Sequence, residues 1–332
     1  MSRASMFAKV RERWCEPQAA SEARAQSKPR HMVVELLVFL LVFAIGSVVL
    51  GGGLIAIGTS FLAIFSPQFA TVVQQGASSA AVSDLIANAT LSPWSTIISL
   101  FATLGLIISV LLYCRLFERR PFATLGFRRR GALKNYGFGI LVGAVLFAAA
   151  LGLCALTGSV TFAGLSPNIA WGLVVFTFIG FLVQGLSEEL LSRGYLLVSV
   201  ARRYSLFTAV IVSSIAFAVL HAFNANITVM GTVNLFIFGI FTALYFVKTG
   251  NIWGVAAFHA TWNFAEGSLF GSAVSGETGY QTILNFVPNG AGELINGGDF
   301  GLEGGLAVTL VLVIGIVVLL FIKNREKTAP VR

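Results

Sequence analysis

Two adjacent carboxylates and an arginine lie inside one apolar stretch, Gly185-Leu-Ser-Glu188-Glu189-Leu-Leu-Ser-Arg193-Gly-Tyr-Leu. An ionisable group at the centre of a bilayer-spanning helix costs about 2.5–3.5 kcal/mol on insertion scales, so such groups usually face a partner or a cavity and mark function. On a helix, Glu189 and Arg193 stand four apart on one face with the acid first, the favourable order for an ion pair. Glu188 points about 100° away from that face, so one acid is neutralised and the other is left to act. Two of the three histidines also fall in apolar stretches: His221 ends Phe217-Ala-Val-Leu-His221, and His259 opens His259-Ala-Thr-Trp-Asn263. His259 and Asn263 share a face, an imidazole beside a carboxamide, which suits a carbonyl substrate. Glu266 continues that face and receives no role, and His31, at the edge of the first apolar stretch, has an interfacial one.

Glu, His and His form the ligand set of catalytic zinc hydrolases, whose open position holds a water made acidic by the metal. Glu188, His221 and His259 are therefore candidate ligands for a divalent metal, zinc first. The His-Glu-x-x-His helix of such enzymes is absent, and the three ligands come from three separate stretches. A metal-free route uses Glu188 as general base on a water, with His259 and Asn263 stabilising the oxyanion. Both routes hydrolyse an amide. Against them stand a purely structural polar core, which leaves one acid without a task, and a proton-relay transporter, for which no internal repeat is visible.

The elements that must position these groups follow from composition. Of 332 residues, 56% are hydrophobic and only 11% are charged, against about 25% charged in soluble domains. This excludes a water-soluble enzyme and a disordered tail protein. Cys15, Cys114 and Cys154 show no paired spacing, which excludes a disulfide scaffold and a zinc knuckle. Apolar runs without period-2 alternation select helices over a barrel. The expected fold is all-α, a polytopic transmembrane bundle of about eight spans at 32–65, 93–114, 135–156, 168–200, 205–222, 227–247, 252–270 and 305–322. The first and fourth are longer than a bilayer requires and should tilt, break or overrun it, with Gly51-Gly52-Gly53 as a break in the first. Lys and Arg fall in the N-terminal tail, at 115–134, at Arg202 and Arg203, at Lys248 and in the C-terminal tail, while every other connection has none. Both termini are thus expected in the cytoplasm.

Three regions follow: a basic cytoplasmic tail over 1–31, a membrane-embedded bundle over 32–323 and a second cytoplasmic tail over 324–332. The first tail lacks a cleavable-signal pattern and reads as a solvated topology determinant resting on anionic lipid. Of the long connections, 66–92 has room for a short surface helix and 271–304 is rich in glycine and acid. One tension remains in depth. Counted from the basic side, His259 lies about seven residues in, Glu188 about thirteen and His221 about sixteen, so straight perpendicular helices would keep them apart.

Glu188-Glu189-x-x-x-Arg193, Phe217-x-x-x-His221 and His259-x-x-x-Asn263, in that order, resemble the three motifs of the CPBP family. This family comprises type II CAAX prenyl endopeptidases, bacteriocin-processing and bacteriocin-immunity proteins and abortive-infection-like membrane proteins. Pro121-Phe-Ala-Thr-Leu-Gly-Phe127 is similar to a further family feature, so the resemblance spans a catalytic core of about 122–264. It implies an intramembrane endopeptidase, usually classed as a metalloprotease, with Glu188 as base or ligand, Glu189 and Arg193 as its supporting pair, His221 and His259 in the active centre and Asn263 beside the carbonyl. The expected partners are the bilayer and a membrane-associated protein or peptide substrate, with no nucleic acid. The expected location is a bacterial-type cytoplasmic membrane, with the active site toward the cytoplasmic side. The alternative is a non-catalytic scaffold or bacteriocin-immunity protein, and the resemblance does not supply a substrate.

Overall fold

The computed structural model of the protein describes residues 17–322. Its helices, in chain order, are α1 (Gln18–Gln26), α2 (Met32–Ile64), α3 (Pro67–Gln74), α4 (Ser79–Thr90), α5 (Pro93–Leu116), α6 (Ala132–Leu156), α7 (Trp171–Ala201), α8 (Leu206–Leu220), α9 (Val229–Thr249), α10 (Ile252–Phe264) and α11 (Leu306–Phe321). A π-helical turn, Ala265–Leu269, prolongs α10. An antiparallel ribbon of β1 (Val160–Leu165) and β2 (Leu284–Pro288) is the only sheet among the described residues. The protein is an all-α membrane bundle in which α2, α5, α6, α7 and α9 are each long and apolar enough to cross a bilayer, while α8 and α11 are shorter apolar helices.

The two overlong helices stay continuous. Each absorbs its length in a π-helical segment, Ile45–Gly51 in α2 and Leu190–Leu197 in α7. The expected break at Gly51-Gly52-Gly53 does not occur. Gly46 and Gly51 are buried, and a Cβ on Gly46 would stand 2.7 Å from the Leu106 backbone of α5. Gly46 and Gly51 serve close helix approach, whereas Gly52 and Gly53 have open space beside them.

Where it is described, one face of the N-terminal tail is packed into the protein and the other is exposed. Ala19, Ala20 and Ala23 of α1 are buried in the main core, Arg24 donates 2.7 Å to the Arg202 carbonyl, and Arg128 pairs with Glu22 at 2.7 Å. This helix is held by packing and by the end of α7; residues 1–16 of the tail, with Cys15, and the tail over 324–332 lie outside the described residues. His31 caps α2, its Nδ1 accepting from the Val33 amide at 3.3 Å.

Beneath α1 lies an ion network that the sequence reading did not single out. Glu35, fully buried in the first turn of α2, pairs with Arg30 at 3.0 Å and Arg202 at 2.8 Å and accepts from the Tyr195 hydroxyl at 3.2 Å. Glu118 pairs with Arg30, with Arg120 at 3.1 Å and with Arg202 at 3.5 Å. Burial alone would lower the Arg30 guanidinium, but hydrogen bonds to Glu35 and Tyr113 and the Glu118 charge outweigh it and raise it, so Arg30 stays charged. The network fastens the starts of α2 and the ends of α5 and α7 at one end of the bundle, the basic end.

At the opposite end, residues 66–92 form two helices, α3 and α4, rather than one short one. The glycine-rich connection after α10 is ordered by specific ties: β2 pairs with β1, Asn296 Nδ2 donates to the Ser159 and Asn289 carbonyls at 2.6 and 3.1 Å, and Glu303 binds α10.

Candidate active site

Three helices meet at one point because small residues let them. Gly185 of α7 faces α10, where a Cβ would lie 2.8 Å from the Ala260 amide nitrogen. Gly143 of α6 faces the other side of α10, where a Cβ would lie 2.6 Å from the Phe258 carbonyl oxygen. α10 is thus clamped between α6 and α7, which turns His259 toward the paired glutamates.

The depth tension is resolved at both helix ends. The segment Pro121–Phe127 folds over the start of α10: Gly126, at φ 87°, accepts from the Ile252 amide at 2.9 Å, and Asn251 donates to the Arg128 carbonyl at 3.2 Å. Ile252 is fully buried, so α10 begins beneath this cover while α7 runs on past it. α8 is only 15 residues long, about 22 Å, and His221 sits just beyond its last turn rather than within it.

The side chains converge. Glu188 Oε2 lies 3.5 Å from His221 Nε2 and 3.8 Å from His259 Nε2. His221 Nδ1 lies 2.8 Å from the Phe217 carbonyl oxygen, which can only accept, so Nδ1 carries the proton. His259 Nδ1 lies 2.9 Å from Glu189 Oε1, so it too donates. Both Nε2 atoms are thereby turned to Glu188. Glu189 is fully buried and has two partners, His259 and, at 3.2 Å, Arg193 Nε. Arg193 continues to the Gly239 carbonyl at 3.0 Å and to Thr242, and its guanidinium lies 4.7 Å from the Phe217 ring centre. One carboxylate holds an imidazole in place and the other faces it.

Gln184, one turn before Glu188, was not singled out from the sequence. Its amide donates to Glu188 Oε1 and its carbonyl accepts from Asn263 Nδ2 at 3.0 Å. Asn263 therefore reaches Glu188 through Gln184 and keeps its second amide hydrogen for another acceptor. The i, i+4 spacing of Gln184 and Glu188 on a helix was the available signal. Glu266 does not continue the His259 face, because the π-helical turn rotates it away; it is buried, and its Oε1 accepts from the Glu303 amide at 3.3 Å.

These groups line a cavity of 570 Å³, within the range of ligand pockets. Glu188, His221, His259 and Asn263 reach its surface, whereas Glu189 and Arg193 stand behind it. Ser95, Thr96, Ser99 and Thr103 of α5 add a hydroxyl wall, and Val274, Ser275, Glu277, Thr278, Tyr280 and Glu303 form a roof. The cavity thus lies toward the end opposite the basic one, since Ser95 starts the helix that ends at Arg115 and His221 ends the helix that starts beside Arg202 and Arg203. The fold-back of 271–304 supplies the roof at this end.

The metal expectation meets a geometric test here. The donor types and tautomers suit a cation, and Glu188 Oε2 stands 3.5 and 3.8 Å from the two Nε2 atoms, although no group of three His, Cys, Asp or Glu among the described residues meets at a metal-binding geometry; no step below runs through a metal.

Residues 169–265 match the family model described as type II CAAX prenyl endopeptidase, Rce1-like. The matched stretch contains all three motifs and bears out the resemblance to the CPBP family, and with it CAAX-type intramembrane protease chemistry in general terms. The comparisons with curated proteins and with solved structures gave no match.

Proposed function

We propose that this chain is an intramembrane endopeptidase in which Glu188 activates the attacking water. The observation that supports it best is the Glu188 carboxylate set against two imidazoles, each fixed from behind, on the wall of a 570 Å³ cavity. The Glu188 side chain is 20% exposed there, enough for water to reach it. In the reaction Glu188 takes a proton from water as the water oxygen bonds to the peptide carbonyl carbon. The negative charge that builds on the carbonyl oxygen meets the free amide hydrogen of Asn263, beside the His259 ring that Glu189 holds in place through Nδ1. Glu188 then gives its proton to the leaving nitrogen as the C–N bond breaks. His221, tied to the Phe217 carbonyl, stands 3.5 Å from the Glu188 carboxylate on the other side. Zinc or another divalent ion, if held by Glu188, His221 and His259, would supply Lewis acidity to the same water.

The test compares new peptide termini, by mass spectrometry, in membranes containing the wild-type protein and the Glu188→Gln variant at equal level. Cleavage sites that vanish in the variant support the peptidase. Identical termini favour a scaffold or immunity protein instead.

A further inference from the structure

Gln184 stands where α7 and α10 come close, beside Gly185, at which a Cβ would lie 2.8 Å from the Ala260 amide nitrogen. From there its amide spans the two helices: Nε2 donates to Glu188 Oε1 within α7, and Oε1 accepts from Asn263 Nδ2 of α10 at 3.0 Å. All three side chains line the cavity. A primary amide has two faces of nearly equal shape, and half a turn about its last torsion exchanges oxygen for NH2, so its hydrogen-bond partners decide which face a reactant meets. Among the described residues, the Asn263 side chain makes no hydrogen bond other than the one to Gln184. Glu188 is the fixed end of this chain of bonds: as a base it is ionised, and an ionised carboxylate only accepts. Its Oε1 therefore takes the Gln184 NH2, which turns the Gln184 oxygen toward α10, and that oxygen in turn holds the Asn263 NH2.

We infer that Gln184 is a positioning residue for the hydrolysis: it carries the acceptor character of the Glu188 carboxylate across to α10 and so presents Asn263 to the scissile carbonyl by its NH2 and not by its oxygen. The inference rests on the peptidase reading and deepens it. Turned the other way, Asn263 would set oxygen against oxygen, and the charge that builds on the carbonyl would be repelled instead of met. Turned as it is, one Nδ2 hydrogen is engaged by Gln184 and the second is directed by that engagement. The two halves of the site are then set together, since the same ionised carboxylate that is ready to take a proton from water also orders the donor that receives the negative charge. Gln184 touches neither the water nor the carbonyl in this scheme and acts through Glu188 and Asn263.

The first readout needs no substrate. In the full chain reconstituted in lipid bilayers with isotopically labelled asparagine, solid-state NMR identifies the Asn263 side-chain amide as the signal missing from Asn263→Ala. Gln184→Met, which keeps the side-chain length and the helix propensity, should move that signal while the other asparagine amides stay in place. Glu188→Ala should move it as well, although Asn263 reaches Glu188 only through Gln184, because the chain of bonds loses its fixed end. The second readout is turnover of a synthetic peptide spanning a cut site that disappears in Glu188→Gln. Gln184→Met should lower kcat about tenfold, as the loss of one net hydrogen bond does, and leave KM within about twofold. In an Asn263→Ala background the same substitution should change kcat by no more than about twofold, since the group it positions is gone. An Asn263 signal that stays in place in Gln184→Met or in Glu188→Ala overturns the inference, and so do losses of kcat that multiply independently in the double variant. Movement of all the asparagine signals together marks a merely structural role and overturns it too. If no Glu188-dependent cut site exists, the peptidase reading alone is overturned, since the amide signals report the ordering of Asn263 without turnover.

Discussion

Glu188 and Glu189 are neighbours in the chain with opposite situations, and the difference is what a substitution should expose. Replacing Glu188 by Gln keeps the shape and the contact with Gln184 but removes the base, so turnover should fall by about 10²–10⁴-fold with the helical circular dichroism unchanged. Glu189→Ala instead strands Arg193 and frees His259. The protein should lose about 3–5 kcal/mol, as broken buried pairs do, read as a lower unfolding midpoint in detergent. Chelation separates the two routes to an activated water. On the metal-free route, in which Glu188 alone activates the water, turnover should survive prolonged treatment with a strong zinc chelator. Loss of turnover that added zinc restores would instead make Glu188, His221 and His259 ligands. At this scale the sequence was informative, because intramembrane charge is rare enough to stand out; Glu188, His221, His259 and Asn263 all reach one cavity. Gln184 escaped notice because an uncharged amide in an apolar run carries little contrast. Glu35 escaped because it lies at a helix start, where an acid looks ordinary.

Helix placement was legible from apolar run length, and helix irregularity was not. The π-helical segments at Ile45–Gly51 and Leu190–Leu197 have no composition of their own; they arise where packing demands a register change, as π turns near functional sites often do. The one in α7 begins immediately after Glu189, and the pair it forms with Arg193 survives at 3.2 Å. The two helices within 66–92 were obscured by small polar residues that read as loop. Close approach was hidden as well, since a glycine in an apolar run signals nothing until its neighbour is known. Gly185 makes this testable. Gly185→Val would press on Ala256 and Ala260 and part α7 from α10, and a displacement of about 1 Å can cost 100-fold in rate. Gly172→Ala, in the same helix with open space around it, should leave the rate unchanged. Initial rates on one peptide decide between them.

The whole molecule carries its basic residues at one end and its acids around the mouth of the cavity at the other. The positive-inside rule predicts from this distribution that the basic end faces the cytoplasm and that the mouth opens away from it. In a background with Cys15, Cys114 and Cys154 replaced by serine, Thr278→Cys should react with an impermeant maleimide added to intact cells, and Arg203→Cys only after permeabilisation. The reverse pattern would invert the protein. Orientation of charge was legible in the sequence, but the side of the cavity was not, because it depends on a return of the chain over 271–304 that no local pattern announces. The basic-end network adds a consequence in time. Glu35 accepts from Arg202, 167 residues later in the chain, and a ribosome making about 5–20 residues per second leaves that carboxylate waiting for its distant partner. Arg30, five residues earlier, is already synthesised when Glu35 emerges, so the first helix enters the membrane as a neutral pair and exchanges an escort for a permanent anchor only when α7 arrives.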